Sequence, residues 1–580
     1  MTKINKLNID FNSKPLNDYP RPLLKRDSYF SLNGDWEIVI TKDLNNVTFD
    51  KHCLVPYAVE SPLRGVNHLL DADEYIIYKK HVVLPFNFKK KHLILHFEGV
   101  DQSCVVYINE QEVGRHIGGY TKFSFDIAKF VTTNEFDIKV VVEDKSDASF
   151  HSIGKQRLNR GGIFYTTTSG IYKPVWLESL DENYVKDVFY KVLYDEKCII
   201  LKILTTASSI AKVKIDNQEL IVNTNQETLI KLENFHPWSL VKPYLYKVNI
   251  TFFDDIVESY FALRKIEIKK ASDGYKRFYL NNEPCFLKGV LDQGYYFLGN
   301  LTPRSYDDYY REILILKELG YNTIRKHIKT EIDLFYYYCD KLGMLVIQDF
   351  INGGEKVSKK ATFLPGLFPN YKGKKDNKCY KVYGRNNLEG RKEFLHESKI
   401  IQYELFNHPS IIAYTIFNEG WGQFDSVENY KVFKNHDSTR FYDTTSGWVD
   451  FGASDFNSIH NYFYKNKIHK DRFNLDRPQF LSEYGGYGLY LDNHFYGKKP
   501  FGYRRYKTIN ELTEHFEKLH KNEVIPLIKK GLMGTIYTQV SDVEDEVNGI
   551  FTFDRKILKI KKEKIIEINK EIDEIYKGIK

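Results

Sequence analysis

The first third of the chain alternates short apolar and aromatic runs with turn residues. Trp36-Glu-Ile-Val-Ile, Lys80-His-Val-Val-Leu, His92-Leu-Ile-Leu-His-Phe, Cys104-Val-Val-Tyr-Ile and Phe136-Asp-Ile-Lys-Val-Val-Val have the composition and spacing of half-buried strands. They predict an all-β sandwich or jelly roll over residues 1–184, closing near Val175-Trp-Leu-Glu178. Over residues 185–266 the pattern stays β. Runs from Cys198 to Leu204, Ala211 to Ile215, Glu227 to Leu232, Tyr246 to Phe253 and Glu258 to Leu263 predict a small immunoglobulin-like sandwich. It carries few chemically suggestive residues and reads as a spacer.

After Phe278-Tyr-Leu-Asn-Asn-Glu-Pro, strand-sized apolar runs alternate with helical ones, which is the signature of βα units. The strand candidates are Cys285–Val290, Asn322–Arg325, Leu345–Asp349, Ile411–Phe417, Arg440–Thr444, Phe456–His460, Gln479–Ser482 and Gly534–Gln539. Helices fit between them, as at Ser305–Leu319 and Ile332–Leu342, and Ser305 with Asp308 has the form of a helix start. Eight such strands predict a (β/α)8 barrel over residues 267–580. A Gly-, Lys- and aromatic-rich stretch over residues 351–387, including Phe363-Leu-Pro-Gly-Leu-Phe-Pro-Asn-Tyr371, is too long for a simple βα loop and would overhang the mouth.

Composition narrows the function classes. The net charge of +7, from 84 Lys+Arg against 77 Asp+Glu in 580 residues, comes without a basic arm, so nucleic-acid binding is disfavoured. The six cysteines have no paired spacing, and no C-x-x-C motif points to a metal knuckle or redox centre. With no secretory h-region and no spanning apolar run, the expectation is a cytoplasmic protein without membrane contact.

Reactive groups of a barrel sit at the C-terminal ends of its strands. Two of the eight endings carry a carboxylate in a telling context: Ala413-Tyr-Thr-Ile-Phe-Asn418-Glu419-Gly-Trp421 and Gln479-Phe-Leu-Ser-Glu483-Tyr484-Gly-Gly. Either glutamate alone would read as an ion pair or a cap. As a pair on strands four and seven they can face each other across one sugar, which is what cleavage of a glycosidic bond requires. Their separation would decide the stereochemistry, about 5–5.5 Å for retention and about 6.5–9.5 Å for inversion.

The chain resembles glycoside hydrolase family 2 almost end to end. Trp36 after Leu32-Asn-Gly-Asp, Gly118-Gly-Tyr-Thr-Lys-Phe and Ser169-Gly-Ile-Tyr-Lys-Pro-Val-Trp-Leu-Glu178 resemble the family's sugar-binding domain. Trp238-Ser with Pro243-Tyr-Leu-Tyr246 and Phe261-Ala-Leu-Arg-Lys265 resemble its immunoglobulin-like domain. Asn407-His-Pro-Ser-Ile411 followed by Asn418-Glu419 is the most specific match. The resemblance implies a jelly roll, a sandwich and a catalytic barrel, with a retaining mechanism. It makes Glu419 the general acid/base and Glu483 the nucleophile, has Asn418 bind the sugar 2-hydroxyl, and sets Tyr462 beside the nucleophile. Asp292, Arg325, His327, His460 and Trp421, at or near other strand ends, are further candidate sugar contacts. Glu419 should have a raised pKa and Glu483 a low one. A carbohydrate substrate and a homo-oligomer are expected. No motif requires a cofactor and no His/Asp/Glu cluster demands a metal, although some relatives hold a cation near the site.

The sugar is the open question. Glu546-Val547-Asn548 stands before Gly549-Ile-Phe-Thr-Phe-Asp-Arg555, where many β-glucuronidases carry Asn-x-Lys. The missing lysine, with Asp542, Glu544, Asp545 and Glu546 nearby, disfavours a glucuronide. A neutral β-glycoside is expected, β-galactoside first, with β-mannoside, β-glucoside and α-L-arabinopyranoside as alternatives. The different-class alternative is a non-catalytic carbohydrate-binding protein. The presence of both glutamates weighs against it.

Overall fold

The structure is a computed structural model that describes residues 9–362, 364–367 and 373–579. The first unit is a β-sandwich. One sheet orders its six strands as Lys51–Val55, Gly34–Thr41, Tyr75–Val83, Glu135–Glu143, Ser103–Ile108 and Gln111–Ile117. The facing sheet orders four: Phe30–Ser31, Val175–Leu180, His92–Phe97 and Phe123–Asp126. Along Glu135–Glu143 every second residue (Phe136, Ile138, Val140, Val142) is buried. A one-residue slip would turn all four to solvent, each costing roughly 1.5–3 kcal/mol, so the register is firmly specified.

The second sandwich pairs Val185–Leu193, Cys198–Thr205 and Glu227–Lys231 against Gln218–Asn223, Ile210–Ile215, Tyr246–Phe252 and Asp255–Phe261. Val185–Leu193 and Gln218–Asn223 were not expected as strands. The latter is an edge strand with only Val222 buried, so its apolar signal is weak. A short meander, Ile266–Lys270, Lys276–Leu280 and Glu283–Pro284, leads into the barrel. Its Phe278 and Leu280 join Leu287, Leu345, Ile347, Ala413 and Phe480 in one buried cluster that fills the barrel's interior.

The barrel strands are β1 (Leu287–Asp292), β2 (Thr323–Lys326), β3 (Leu345–Asp349), β4 (Ile411–Asn418), β5 (Phe441–Ser446), β6 (Asn457–Asn461), β7 (Gln479–Gly485) and β8 (Leu532–Thr538). All eight expected strands are found, each with ends shifted by no more than three residues. They form one parallel sheet in the order 5-4-3-2-1-8-7-6, and the Asp455 N–H donating to the Tyr442 carbonyl (3.0 Å) brings β5 and the start of β6 together. Val290, Ile324, Val346 and Tyr414 point outward into the cluster that holds Ile313 and Leu316 of α1 (Asp307–Glu318) and Phe335 of α2 (Asp333–Leu342). Burial on both faces explains why these strands read as continuous apolar runs. At the start of α1 the Asp308 carboxylate accepts the Ser305 N–H (3.2 Å), the half of a capping box that the sequence suggested.

The long stretch after β3 is described only in part. Phe363 and residues 368–372 lie outside the described residues, and with them most of its aromatic segment. Of the remainder, the Asp376 carboxylate accepts from Gln423 Nε2 (2.9 Å) and the Ser426 N–H (3.1 Å), which ties the stretch to the loop after β4. Among the described residues no helix is long and apolar enough to cross a membrane.

Candidate active site

Interior positions of the strands change from apolar at the floor to polar at the mouth. On β2 the residue after outward Ile324 is Arg325, whose guanidinium is fully buried. Its Nε and Nη2 grip the Asp349 carboxylate at the end of β3 (3.0 Å each), its Nη1 donates to Glu483 Oε1 on β7 (3.1 Å), and its Nη2 also donates to Asn418 Oδ1 on β4 (2.9 Å). One planar cation therefore sets three strand ends relative to one another. It also takes up the Asn418 carbonyl oxygen, so the Asn418 amide presents its NH2 as a donor.

Glu483 is held from three sides: by Arg325, by Tyr462 Oη donating to Oε2, and by His460 Nδ1 at 3.5 Å. Burial pushes its carboxyl up, but the charges of His460 and Arg325 and the Tyr462 hydrogen bond outweigh this and bring it down to about 2. Tyr462 is fixed in turn by stacking on Tyr503 (centroids 3.9 Å apart). Gly486 lies against both rings; a Cβ there would come within 2.4 Å of Tyr503.

Glu419 follows β4 in the left-handed region (φ 52°), its N–H donating to the Ser446 carbonyl (2.9 Å). That conformation costs a β-carbon residue roughly 1–2 kcal/mol and turns the side chain into the mouth. His460 Nδ1 lies 2.8 Å from Glu419 Oε1, and its Nε2 is 2.9 Å from Ser446 Oγ. Glu419, His460 and Glu483 each present one atom within 4.8 Å of the others, the one group among the described residues with the spacing of metal ligands. Glu483 Oε2 and His460 Nδ1 already have partners within this group and from Tyr462.

Of the expected residues, Glu419, Glu483, Asn418, Tyr462, Arg325 and His460 converge. His327 lies one step out, its Nδ1 on Asp349 Oδ2 (2.7 Å). Trp421 forms part of the wall with Ile153, Ile328 and Phe164. Asp292 does not reach the pair. It follows inward-facing Leu291 and so points outward, where its carboxylate takes Lys326 Nζ and the Gly294 N–H (2.7 Å). Asp349 was missed, although it shares interior parity with Leu345 and Ile347 and ends its strand, a signal the sequence did carry. The loop of residues 145–169 carried no such signal. It reaches over from the first sandwich, with Phe164 edge-on to Trp421 (5.6 Å) and Tyr165 Oη donating to Glu546 after β8.

Fold and site together define a multidomain (β/α)8-barrel protein with two carboxylates facing each other across the mouth. The family model "Glycosyl hydrolases family 2, sugar binding domain" matches residues 31–180, and "Glycosyl hydrolases family 2, TIM barrel domain" matches residues 273–569. The chain belongs to glycoside hydrolase family 2. It is 28% identical over 358 residues to a β-galactosidase of Thermoanaerobacter pseudethanolicus (55% of this chain, 46% of the relative). It is 24% identical over 484 residues to a β-galactosidase of Actinobacillus pleuropneumoniae (78% and 45%). The matches thus span just under half the length of these curated relatives. Among solved structures, the fold is similar to a β-D-glucuronidase of Dictyoglomus thermophilum, with TM-score 0.73, 16% identity, and 96% and 98% of the two chains covered. It is similar also to a β-glucuronidase of an uncultured Clostridium species, with TM-score 0.71, 19% identity, and 97% and 100% covered.

Proposed function

We propose that this chain is a retaining, exo-acting β-glycosidase. The observation that carries the reading is the carboxylate separation. Glu419 and Glu483 each present an oxygen within 4.8 Å of the other's, an approach on the scale of the ~5–5.5 Å separation of retaining pairs. In this reading Glu483, kept ionised, attacks the anomeric carbon while the bond to the leaving oxygen breaks and Glu419 gives that oxygen its proton. A glycosyl ester on Glu483 results. Glu419 then removes a proton from water, the water oxygen attacks the same carbon, and Glu483 leaves as carboxylate. Asn418 NH2 is placed to donate to the sugar 2-hydroxyl, and Arg325 and Tyr462 hold the nucleophile's charge and orientation.

Curated relatives named β-galactosidase support a β-galactoside first, and others named β-glucuronidase or putative β-glucuronidase support a β-glucuronide beside it. Together they leave open what the sugar carries. A cytoplasmic homo-oligomer is part of the same reading, and light scattering tests the assembly. Hydrolysis of a panel of 4-nitrophenyl α- and β-glycosides tests the chemistry. Release is expected from β-D-glycosides or the stereochemically equivalent α-L-arabinopyranoside and not from α-D-glycosides, with retained configuration by NMR, and should fall about 10⁴-fold or more in Glu483→Gln. Turnover persisting in that variant, or an inverted product, would sink the assignment.

A further inference from the structure

The barrel mouth contains a lysine that the proposed chemistry does not use. Residues 145–169 leave the first sandwich after Glu135–Glu143 and lie on the barrel. There the Gly353 N–H donates to the Ile153 carbonyl (3.0 Å), and Arg160 pairs with Glu544 (2.7 Å). Lys155 sits in this loop, 8% exposed, with its carbonyl accepting the Tyr165 N–H (2.8 Å). Its Nζ lies 5.7 Å from the centre of the Phe164 ring, which meets Trp421 beside Glu419. Among the described residues no oxygen accepts a hydrogen bond from that ammonium. Arg157, stacked on the same ring at 3.5 Å, is likewise without a carboxylate partner there.

Three other buried lysines of this region look different. Lys326 is ringed by Asp292 and Glu331, Lys329 by Glu331 and the carbonyls of Gly294 and Leu301, and Lys559 by Asp542 and the carbonyls of Leu489 and Val547. Each is a structural cation with its donors in use. The Lys155 charge is felt by two groups of the mouth. His327 is pushed below its ordinary value, by burial first, with the Lys155 charge adding to the effect. Glu546 is the other, but its oxygens are already taken, Oε2 by Tyr165 and Oε1 by Asn548 Nδ2 (2.9 Å). The rest of the acidic run is also engaged: Asp542 by Lys559 and the Gly549 N–H, Glu544 by Arg160 and the Thr166 N–H, and Asp545 by the N–H groups of Lys498 and Lys499. Of the negative charges that argued against an anionic sugar, Asp542 and Glu544 are paired with cations, Asp545 and Glu546 have their oxygens occupied by hydrogen-bond donors, and a positive charge arrives from another part of the chain.

We infer that Lys155 is a specificity-determining residue that receives an anionic substituent, a carboxylate or a sulfate, on the sugar held between Glu419 and Glu483. The Lys155 stem is buried while its ammonium is open to the mouth without an acceptor, and an anion supplies the charge-assisted hydrogen bonds it lacks. The inference rests on the glycosidase reading and adds the charge of the substrate to it.

The test compares matched 4-nitrophenyl substrates: β-D-galactoside, its 6-sulfate and β-D-galacturonide, together with β-D-glucoside and β-D-glucuronide. Wild type should favour an anionic member over its neutral twin in kcat/KM, and which one wins tells carboxylate from sulfate. Lys155→Met should lower the anionic-to-neutral ratio about 50-fold, the size of one lost charged hydrogen bond, and Lys155→Arg should restore much of it. A ratio unmoved by Lys155→Met overturns the inference while leaving the glycosidase reading intact. If nothing is turned over, calorimetry of the same compounds on Glu483→Gln with and without Lys155→Met still decides, because equal affinities would overturn it.

Discussion

The two β-sandwiches are built alike and touch opposite ends of the barrel. The second packs at the floor. Trp238 Nε1 donates to the Asp340 carbonyl (2.7 Å), Tyr260 Oη to Asp340 Oδ2 (2.7 Å), and Arg264 to the Pro409 and Ile411 carbonyls (2.9 and 2.8 Å). These bonds hold the entry to β4, far along the strand from Glu419. The first sandwich packs at the mouth through Tyr165, Arg160 and Phe164, and sends Lys155 there. The contrast shows that a sandwich acquires a part in chemistry by the barrel end it touches, since strand C-termini carry the reactive groups and strand N-termini the stability.

Trp238→Ala should test the floor most severely. Removing a fully buried indole should cost about 3–5 kcal/mol in denaturant unfolding while kcat/KM of the folded enzyme stays within about twofold. A selective collapse of kcat would mean that the floor, too, belongs to the site. Tyr165→Phe does the opposite at the mouth. It strips Glu546 of one donor, and kcat/KM should fall roughly tenfold with stability changed by about 1–2 kcal/mol. Equal effects of both variants on rate would erase the distinction between the two ends.

A smaller effect separates the interfaces by pH. Glu397, on the helix Leu388–Glu404, is buried against Gly118 of the first sandwich, where a Cβ would come within 2.3 Å of its Oε1. Burial and the neighbouring Glu393 charge push its carboxyl up to about 8. Its contribution to stability is then fully present below the unfolded value of ~4.3 and is lost as pH rises through about 8. The melting temperature of wild type should drop a few degrees more than that of Glu397→Gln between pH 5 and 9. Parallel curves would place the pH sensitivity elsewhere.

Much of this molecule was legible along the chain. Period-2 alternation such as Phe136-Ile138-Val140-Val142 is a local property, because a strand with one buried face must repeat every two residues. The barrel strands show as apolar runs for the equally local reason that both their faces are covered, and Asn418-Glu419 and Ser482-Glu483 stand where those runs end. The parity at strand ends was harder to read. Asp292 and Arg325 both close apolar runs, yet one faces the helices and the other the mouth, because the inward residue is set by the closed sheet as a whole. Asp349 waited on the same information.

The sequence by itself determined the eight barrel strands, their order and the two strand-end glutamates, since each depends on neighbours within a few residues. Only the tertiary structure decided the rest. It brought one oxygen of each glutamate within 4.8 Å of the other's, gave Arg325 three strand ends to hold, occupied the acidic run after β8 with hydrogen-bond donors, and placed Lys155 from a loop of the first sandwich over the mouth. Charge and hydrogen bonding act through space between residues far apart in the chain, and no local pattern encodes where a loop of one domain comes to rest on another.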